Sequence, residues 1–172
     1  ENGQSYNGAV PGITDGIIII SAGGSIKING TAAEPVIFTS VYDDSRGAPS
    51  NGDTNLDGAA TKANAGDWSG LHIWGNGRLD NSSIIQYAKF YYAHGVGSDS
   101  SGLSAYNPQS ALKVKDASPL VQNCLFDSNL VGIAVEGKSN PVIENTRFFR
   151  NAYVPITFVP GSEPVFQNVI FG

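Results

Sequence analysis

Half of the chain's aspartates fall in one short stretch, five of ten lying from Asp43 to Asp67. They are arranged as Asp43-Asp44-Ser45-Arg46, then Gly52-Asp53-Thr54-Asn55-Leu56-Asp57-Gly58, closing at Gly66-Asp67-Trp68. Oxygen-bearing side chains at alternate positions of a tight loop, followed by a glycine that permits a sharp turn, suit a hard cation with about 6–8 oxygen ligands. Calcium is the cofactor this pattern predicts. Asp53, Asn55 and Asp57 are the expected ligands, with the Ala59 carbonyl beside them and Asp43, Asp44 or Asp67 supplying the remaining carboxylates. Magnesium fits less well, because it demands a near-ideal octahedron and gives up its waters reluctantly. The plainer alternative is a solvated acidic turn in which each Asp closes a local Asx turn. Clustered carboxylates in a long structureless excursion repel one another, which favours the ion, in a structural rather than catalytic role.

A second stretch, Ala93 to Ser110, is rich in Ser, Gly and Tyr and carries His94 and Asp99. Tyrosines beside small adaptable polar residues suit recognition of a sugar or a protein surface. Tyr91, Tyr92, His94 and Tyr106 are therefore candidate ligand-binding residues, with Trp74 as a further platform. The alternative is a plain loop whose aromatics pack on the structure beneath. Trp68 is expected to seal the corner under the acidic loop. The single cysteine, Cys124, sits in an apolar stretch and reads as a small core residue rather than a nucleophile.

What positions these loops is an internal repeat. Pro119-Leu-Val-Gln-Asn-Cys-Leu-Phe126, Pro141-Val-Ile-Glu-Asn-Thr-Arg-Phe148 and Pro164-Val-Phe-Gln-Asn-Val-Ile-Phe171 align without gaps, 22 and then 23 residues apart. Each is led by a second block: Leu112-Lys-Val114, Ile133-Ala-Val135 and Ile156-Thr-Phe158. Upstream, Leu71-His-Ile73 with Ile85 to Phe90 repeats the pattern, as does Ile26-Lys-Ile28 with Ile37 to Tyr42. Short alternating runs separated by turn residues (Asn29-Gly30, Glu136-Gly137, Pro160-Gly161) cannot bury an apolar side alone and must stack on neighbouring copies. Asn123, Asn145 and Asn168 fall at one place in successive copies, where amides can hydrogen-bond along the stack.

The repeat resembles the right-handed parallel β-helix family, the pectate-lyase-like solenoids, through its P-x-[IVF]-x-N-x-x-F spacing. The resemblance implies an all-β solenoid of about five coils, each with three short strands, and asparagine ladders at a turn. The domain expected spans residues 17–172, preceded by a polar, Gly-rich arm at 1–16 and interrupted by lateral insertions at 43–66 and 91–110. Both insertions leave the same corner of adjacent coils, Tyr42 being read as the equivalent of Phe126, so they should form one lobe on a binding face. The acidic loop in turn resembles the D-x-[DN]-x-[DN]-G calcium loop of EF-hand, dockerin and thrombospondin-type repeats. Asp53, Asn55, Asp57 and Gly58 match its positions 1, 3, 5 and 6, whereas position 12 is Asn64 instead of a bidentate Glu.

The family also brings polysaccharide lyases and hydrolases into view. Hydrolysis needs two carboxylates about 5 to 9.5 Å apart, and β-elimination needs a base beside a metal-bound carboxylate. Alternation predicts outward columns of Lys27, His72, Lys113, Ala134 and Thr157; of Phe38, Gln86, Gln122, Glu144 and Gln167; and of Val41, Lys89, Leu125, Arg147 and Ile170. None pairs two acids, and His72 and His94 read as surface residues without a partner. A structural role is favoured over catalysis, the alternative being a carbohydrate-active or carbohydrate-binding protein that uses the lateral lobe.

Composition narrows the remaining classes. A net charge of -5 without any Lys/Arg cluster argues against nucleic acid. The longest apolar run, Ile17 to Ile20, cannot span a bilayer. The initial Glu and the absence of Met suggest an N-terminus made by processing. Low charge with much Asn, Ser and Gly, together with a calcium loop, suits an extracellular or cell-surface protein. Two N-x-[ST] sequons, Asn29-Gly-Thr31 and Asn81-Ser-Ser83, would be glycosylated only where that pathway operates. No amphipathic capping helix is evident, so both ends of the stack are expected to be open. The partner expected is then another coil, either of a second copy stacked end to end into a fibre or of a longer chain serving as an adhesin module.

Overall fold

The computed structural model describes residues 17–20, 24–46, 53, 55–75, 83–93 and 110–172. Apolar residues at every second position make each short run two-faced, and stacking 22-residue copies sets these runs side by side as parallel strands. Numbered in chain order, the first sheet holds β1 (Ile17–Ile20), β4 (Gly70–Trp74), β7 (Leu112–Lys115), β10 (Val131–Glu136) and β13 (Val154–Phe158). The second holds β2 (Lys27–Asn29), β5 (Ile84–Gln86), β8 (Leu120–Gln122), β11 (Val142–Glu144) and β14 (Val165–Gln167). The third holds β3 (Val36–Phe38), β6 (Ala88–Tyr91), β9 (Leu125–Asp127), β12 (Arg147–Phe149) and β15 (Ile170–Phe171). Each coil contributes one strand to each sheet, giving five coils of an all-β, right-handed parallel β-helix.

Register lines the inward side chains up as columns. Ile18, Leu71, Leu112, Ile133 and Ile156 form one, and Ile28, Ile85, Val121, Ile143 and Phe166 another. In the third sheet Phe38, Phe90, Phe126, Phe148 and Phe171 stack ring on ring, with centroids 4.8, 4.8, 5.1 and 5.5 Å apart. That pitch is the spacing of paired strands, so one geometry satisfies backbone and aromatic packing together.

The chain turns between second and third sheets through Tyr87, Asn123, Asn145 and Asn168, all with positive φ. Asparagine tolerates this left-handed conformation better than most side chains, and Asn168 donates to the Asn145 amide oxygen at 2.7 Å. A second ladder, unread in the sequence, runs inside the stack. Asn129, fully buried, donates to the Phe90 carbonyl and to Asn151 Oδ1, both at 3.0 Å, and accepts the Ala93 amide at 2.9 Å. Asn151 in turn donates to the Phe126 carbonyl.

Two expectations need correction. The first coil is shifted: Ile17–Ile20, not Ile26–Ile28, occupies the first sheet, and Phe38, not Tyr42, is the equivalent of Phe126. Ring stacking of Phe38 on Phe90 fixes this, because Ile37 then alternates outward. The first insertion accordingly begins after Phe38, and the outward columns start with Ile19, Asn29 and Ile37 in place of Lys27, Phe38 and Val41. The second correction concerns His72. It points away from the helix axis yet is 4% exposed, as its neighbour Lys113 is buried and reaches Glu136 at 3.1 Å. Residues 1–16, and with them the predicted arm, lie outside the described residues, as do His94 and Tyr106. Among the described residues no helix is long and apolar enough to cross a membrane.

Candidate metal site

The first excursion leaves β3 and returns to β4, and its two limbs meet at the acidic loop. Asp44 from the outgoing limb and Asp53 and Asp57 from the loop each offer a carboxylate oxygen within 4.8 Å of the others. The loop shapes itself through backbone donors. Asp57 and Gly58 N–H groups donate to the two Asp53 oxygens at 2.8 and 2.5 Å, and Thr61 Oγ1 donates to Asp57 Oδ2 at 2.6 Å. Asn55 Nδ2 donates to Asp57 Oδ2 and to Thr61 Oγ1. Gly58 holds φ at +71°, a left-handed turn at the position where the calcium loop motif has its glycine.

The oxygens left over by these hydrogen bonds decide whether the donor set fits a cation. Asp44 Oδ1, Asn55 Oδ1 and Asp57 Oδ1 are each buried with no hydrogen-bond partner among the described residues. A buried oxygen without a donor costs roughly 1–3 kcal/mol, and three from two limbs of one excursion fit a hard cation. Asp44, Asp53 and Asp57 thus lie together, with Asn55 bonded to Asp57 beside them. Ala59 lines the same groove as Asp44.

Asp43 and Asp67 are engaged otherwise. Asp43, 3% exposed, accepts from Thr39 Oγ1 at 2.5 Å on one oxygen, which also forms an ion pair with Arg46 Nε at 2.9 Å, and from Ser45 N–H and Oγ on the other. Asp67 Oδ2 accepts from Ser40 Oγ and from the Asn64 amide, closing the neck of the excursion. The Gly66 and Asp67 amides donate to the Tyr92 carbonyl, which fastens that neck to the second coil. Trp68 seals the corner as expected: it is buried, stacks on Phe38 and donates from Nε1 to the Tyr91 carbonyl at 2.7 Å.

Of the ligand-binding candidates, Tyr91 is buried at 4% exposure, beneath the Arg46 guanidinium 3.7 Å from its ring centre. It is therefore an anchor and not a platform, and burial pushes its hydroxyl above the ordinary tyrosine range despite the opposing pull of Arg46. Tyr92 is half-buried and accepts from Arg46 at 3.4 Å. Trp74 is exposed but lies on the first sheet, its ring 6.0 Å from that of His72. His72 donates from Nε2 to the Ser69 carbonyl at 3.0 Å, while its Nδ1 is buried without a partner among the described residues. Burial, then the charge of Lys113, lower its pKa to about 4.

Sequence reasoning missed Arg46, Thr61, and the His72, Lys113 and Glu136 group. Thr61 was findable, since it stands at position 9 of the loop motif, a usual ligand or water-linked position. Arg46 pairs locally with Asp43, but its contacts with Tyr91 and Tyr92, like the His72, Lys113 and Glu136 group, join distant residues with no local signal. The corrected outward columns still pair no two carboxylates.

Three parallel five-stranded sheets wound into one stack define a β-solenoid of the parallel β-helix class. Residues 3–116 match the pectate-lyase-like β-helix domain and residues 69–172 match the right-handed β-helix region, so the chain belongs to the pectate-lyase-like right-handed β-helix family. No curated protein and no solved structure matches it.

Proposed function

We propose that this chain is an extracellular structural β-solenoid, stiffened by calcium in its first excursion, whose fifth coil is completed by a further coil. The observation that carries the reading is the open face of that coil. Phe158, Phe166 and Phe171 continue buried columns yet are 56%, 42% and 56% exposed. With Ile156, Val169 and Pro155 they line one apolar cavity. Strand edges and apolar side chains presented together recruit another strand layer of the same geometry. That layer comes from a second copy, giving a heterologous end-to-end fibre, or from neighbouring coils in a longer chain that acts as a cell-surface adhesin module. The three partnerless oxygens support calcium, and calcium loops of this kind suit a compartment where the ion is plentiful.

Electron microscopy of the purified chain tests the fibre, with rods expected at an axial repeat of about 24 Å, five strand spacings. A monodisperse monomer at high concentration overturns it, and a larger mass for the native material then points to the longer chain. The calcium reading expects chelator to lower the melting temperature of the wild type and to leave Asp53→Ala/Asp57→Ala unaffected. Equal melting with and without chelator in the wild type removes calcium.

A groove beside Asp44, lined also by Tyr42, Thr61, Lys62 and Tyr92, supports the second reading, a carbohydrate-active or carbohydrate-binding protein. Incubation with acidic and neutral polysaccharides would give shortened or unsaturated products, or retention without cleavage.

A further inference from the structure

We infer that Arg46, which is not a ligand, positions the cation site, and that cation affinity is linked through it to the packing of Tyr91 and Tyr92. This rests on the calcium reading above. Asp44 is the one carboxylate of the cluster outside the 53–58 loop, and it sits at the crest of a four-residue turn from Asp43 to Arg46. Both ends of that turn are fastened to the coils. Asp43 is held by Thr39, Ser45 and Arg46, and the Arg46 guanidinium lies over the Tyr91 ring at 3.7 Å and within 5.7 Å of the Tyr92 ring. Arg46 also donates to the Tyr92 hydroxyl.

Asp53 and Asp57 are tied to each other by hydrogen bonds within their own loop, so they stay together whatever the outgoing limb does. Among the described residues Asp44 has no such tie, its Oδ1 being without a hydrogen-bond partner. Three carboxylates gathered within 4.8 Å repel, and the displaceable member is the one on the separate limb. Arg46 opposes that displacement by bolting the turn to buried Tyr91. Removing it also strips one partner from buried Asp43, which loosens the same turn. Because linkage is reciprocal, an ion that draws Asp44 inward also tightens Arg46 on the tyrosines.

The test uses the full chain and two probes: calcium by calorimetry, and terbium luminescence excited through tyrosine, since Tyr42 and Tyr92 line the groove that contains Asp44. Arg46→Ala should weaken cation affinity on the order of tenfold, within the usual range of site-to-site coupling. Arg46→Lys, which keeps the charge but loses the planar stack, should fall between, and Tyr92→Phe should lose less in the same direction. Arg147→Ala, exposed and on another groove, should bind as the wild type does. In the near ultraviolet, calcium should sharpen the tyrosine circular dichroism of the wild type but not of Arg46→Ala. A wild type that binds neither ion removes the calcium reading itself. A wild type that binds, with Arg46→Lys and Tyr92→Phe unchanged in affinity, overturns the role of Arg46 alone, even if Arg46→Ala does not fold.

Discussion

Truncating rings along the aromatic column should give a graded loss of stability set by position in the stack. Phe126 is fully buried between two rings, at 4.8 Å from Phe90 and 5.1 Å from Phe148. Phe126→Ala removes a core ring, worth about 3–5 kcal/mol, and two stacked pairs place it at the upper end of that range. Phe171 has one ring neighbour, at 5.5 Å, and is more than half exposed. Full burial of such a side chain is worth about 1.5–3 kcal/mol, so less than half of that plus one pair gives roughly 1.5 kcal/mol. The two variants should therefore differ by about 3 kcal/mol in urea unfolding of dilute protein, read as a shift of midpoint at constant slope. Raising the protein concentration should then increase the cost of Phe171→Ala, because an added coil would bury that ring, and leave Phe126→Ala unchanged. A difference below about 1 kcal/mol in dilute solution would refute the column as the unit of stability.

Other outcomes follow from buried polar groups. His72 has its folded-state pKa lowered to about 4, below the ordinary histidine value of about 6.5. Its neutral form stabilises the fold fully above about pH 6.5, and that contribution, of order 3 kcal/mol, is lost as pH falls toward 4, since the unfolded chain takes up the proton first. His72→Gln should flatten the stability profile in that window, and an unchanged profile would count against the buried neutral imidazole. Asn129→Ala should cost about 2–4 kcal/mol in denaturant unfolding, because the Ala93 amide and the Phe90 carbonyl lose their partner inside the stack; a loss below 1 kcal/mol would mean water replaces it. Burial raises the Cys124 thiol to about 11, so a thiol reagent at neutral pH should label it only on unfolding, and rapid native labelling would contradict the packing.

The repeat was legible because its most regular part needs no gaps: Pro119, Pro141 and Pro164 each lead an Asn four residues on and a Phe seven on, and the strands fall where that register puts them. The first coil lacks this block. Ile26–Ile28 alternates as well as the strands of the first sheet do although it belongs to the second, and Phe38 and Tyr42 are both aromatic, so pairing and ring stacking across coils choose between them. The acidic loop was legible from Asp53 to Gly58 for a similar reason, all its chemistry lying within six residues. Asp43 and Asp44 differ only in which way each faces, and that depends on Thr39 and Arg46 holding one of them. Arg46 on Tyr91 joins residues 45 apart, and the burial of His72 depends on what lies over an outward face, neither of which alternation encodes.

The phenylalanine column has a consequence for how such a chain can change in length. Every interior ring meets the same two neighbours at nearly the same pitch, so the seat above Phe126 and the seat above Phe148 are interchangeable. A 22-residue segment duplicated in frame between them inherits its packing partners ready-made, and one deleted leaves matching faces to close over the gap. The number of coils is thereby freed from the identity of any one coil, and the molecule can be lengthened or shortened like a ruler without redesigning its interior.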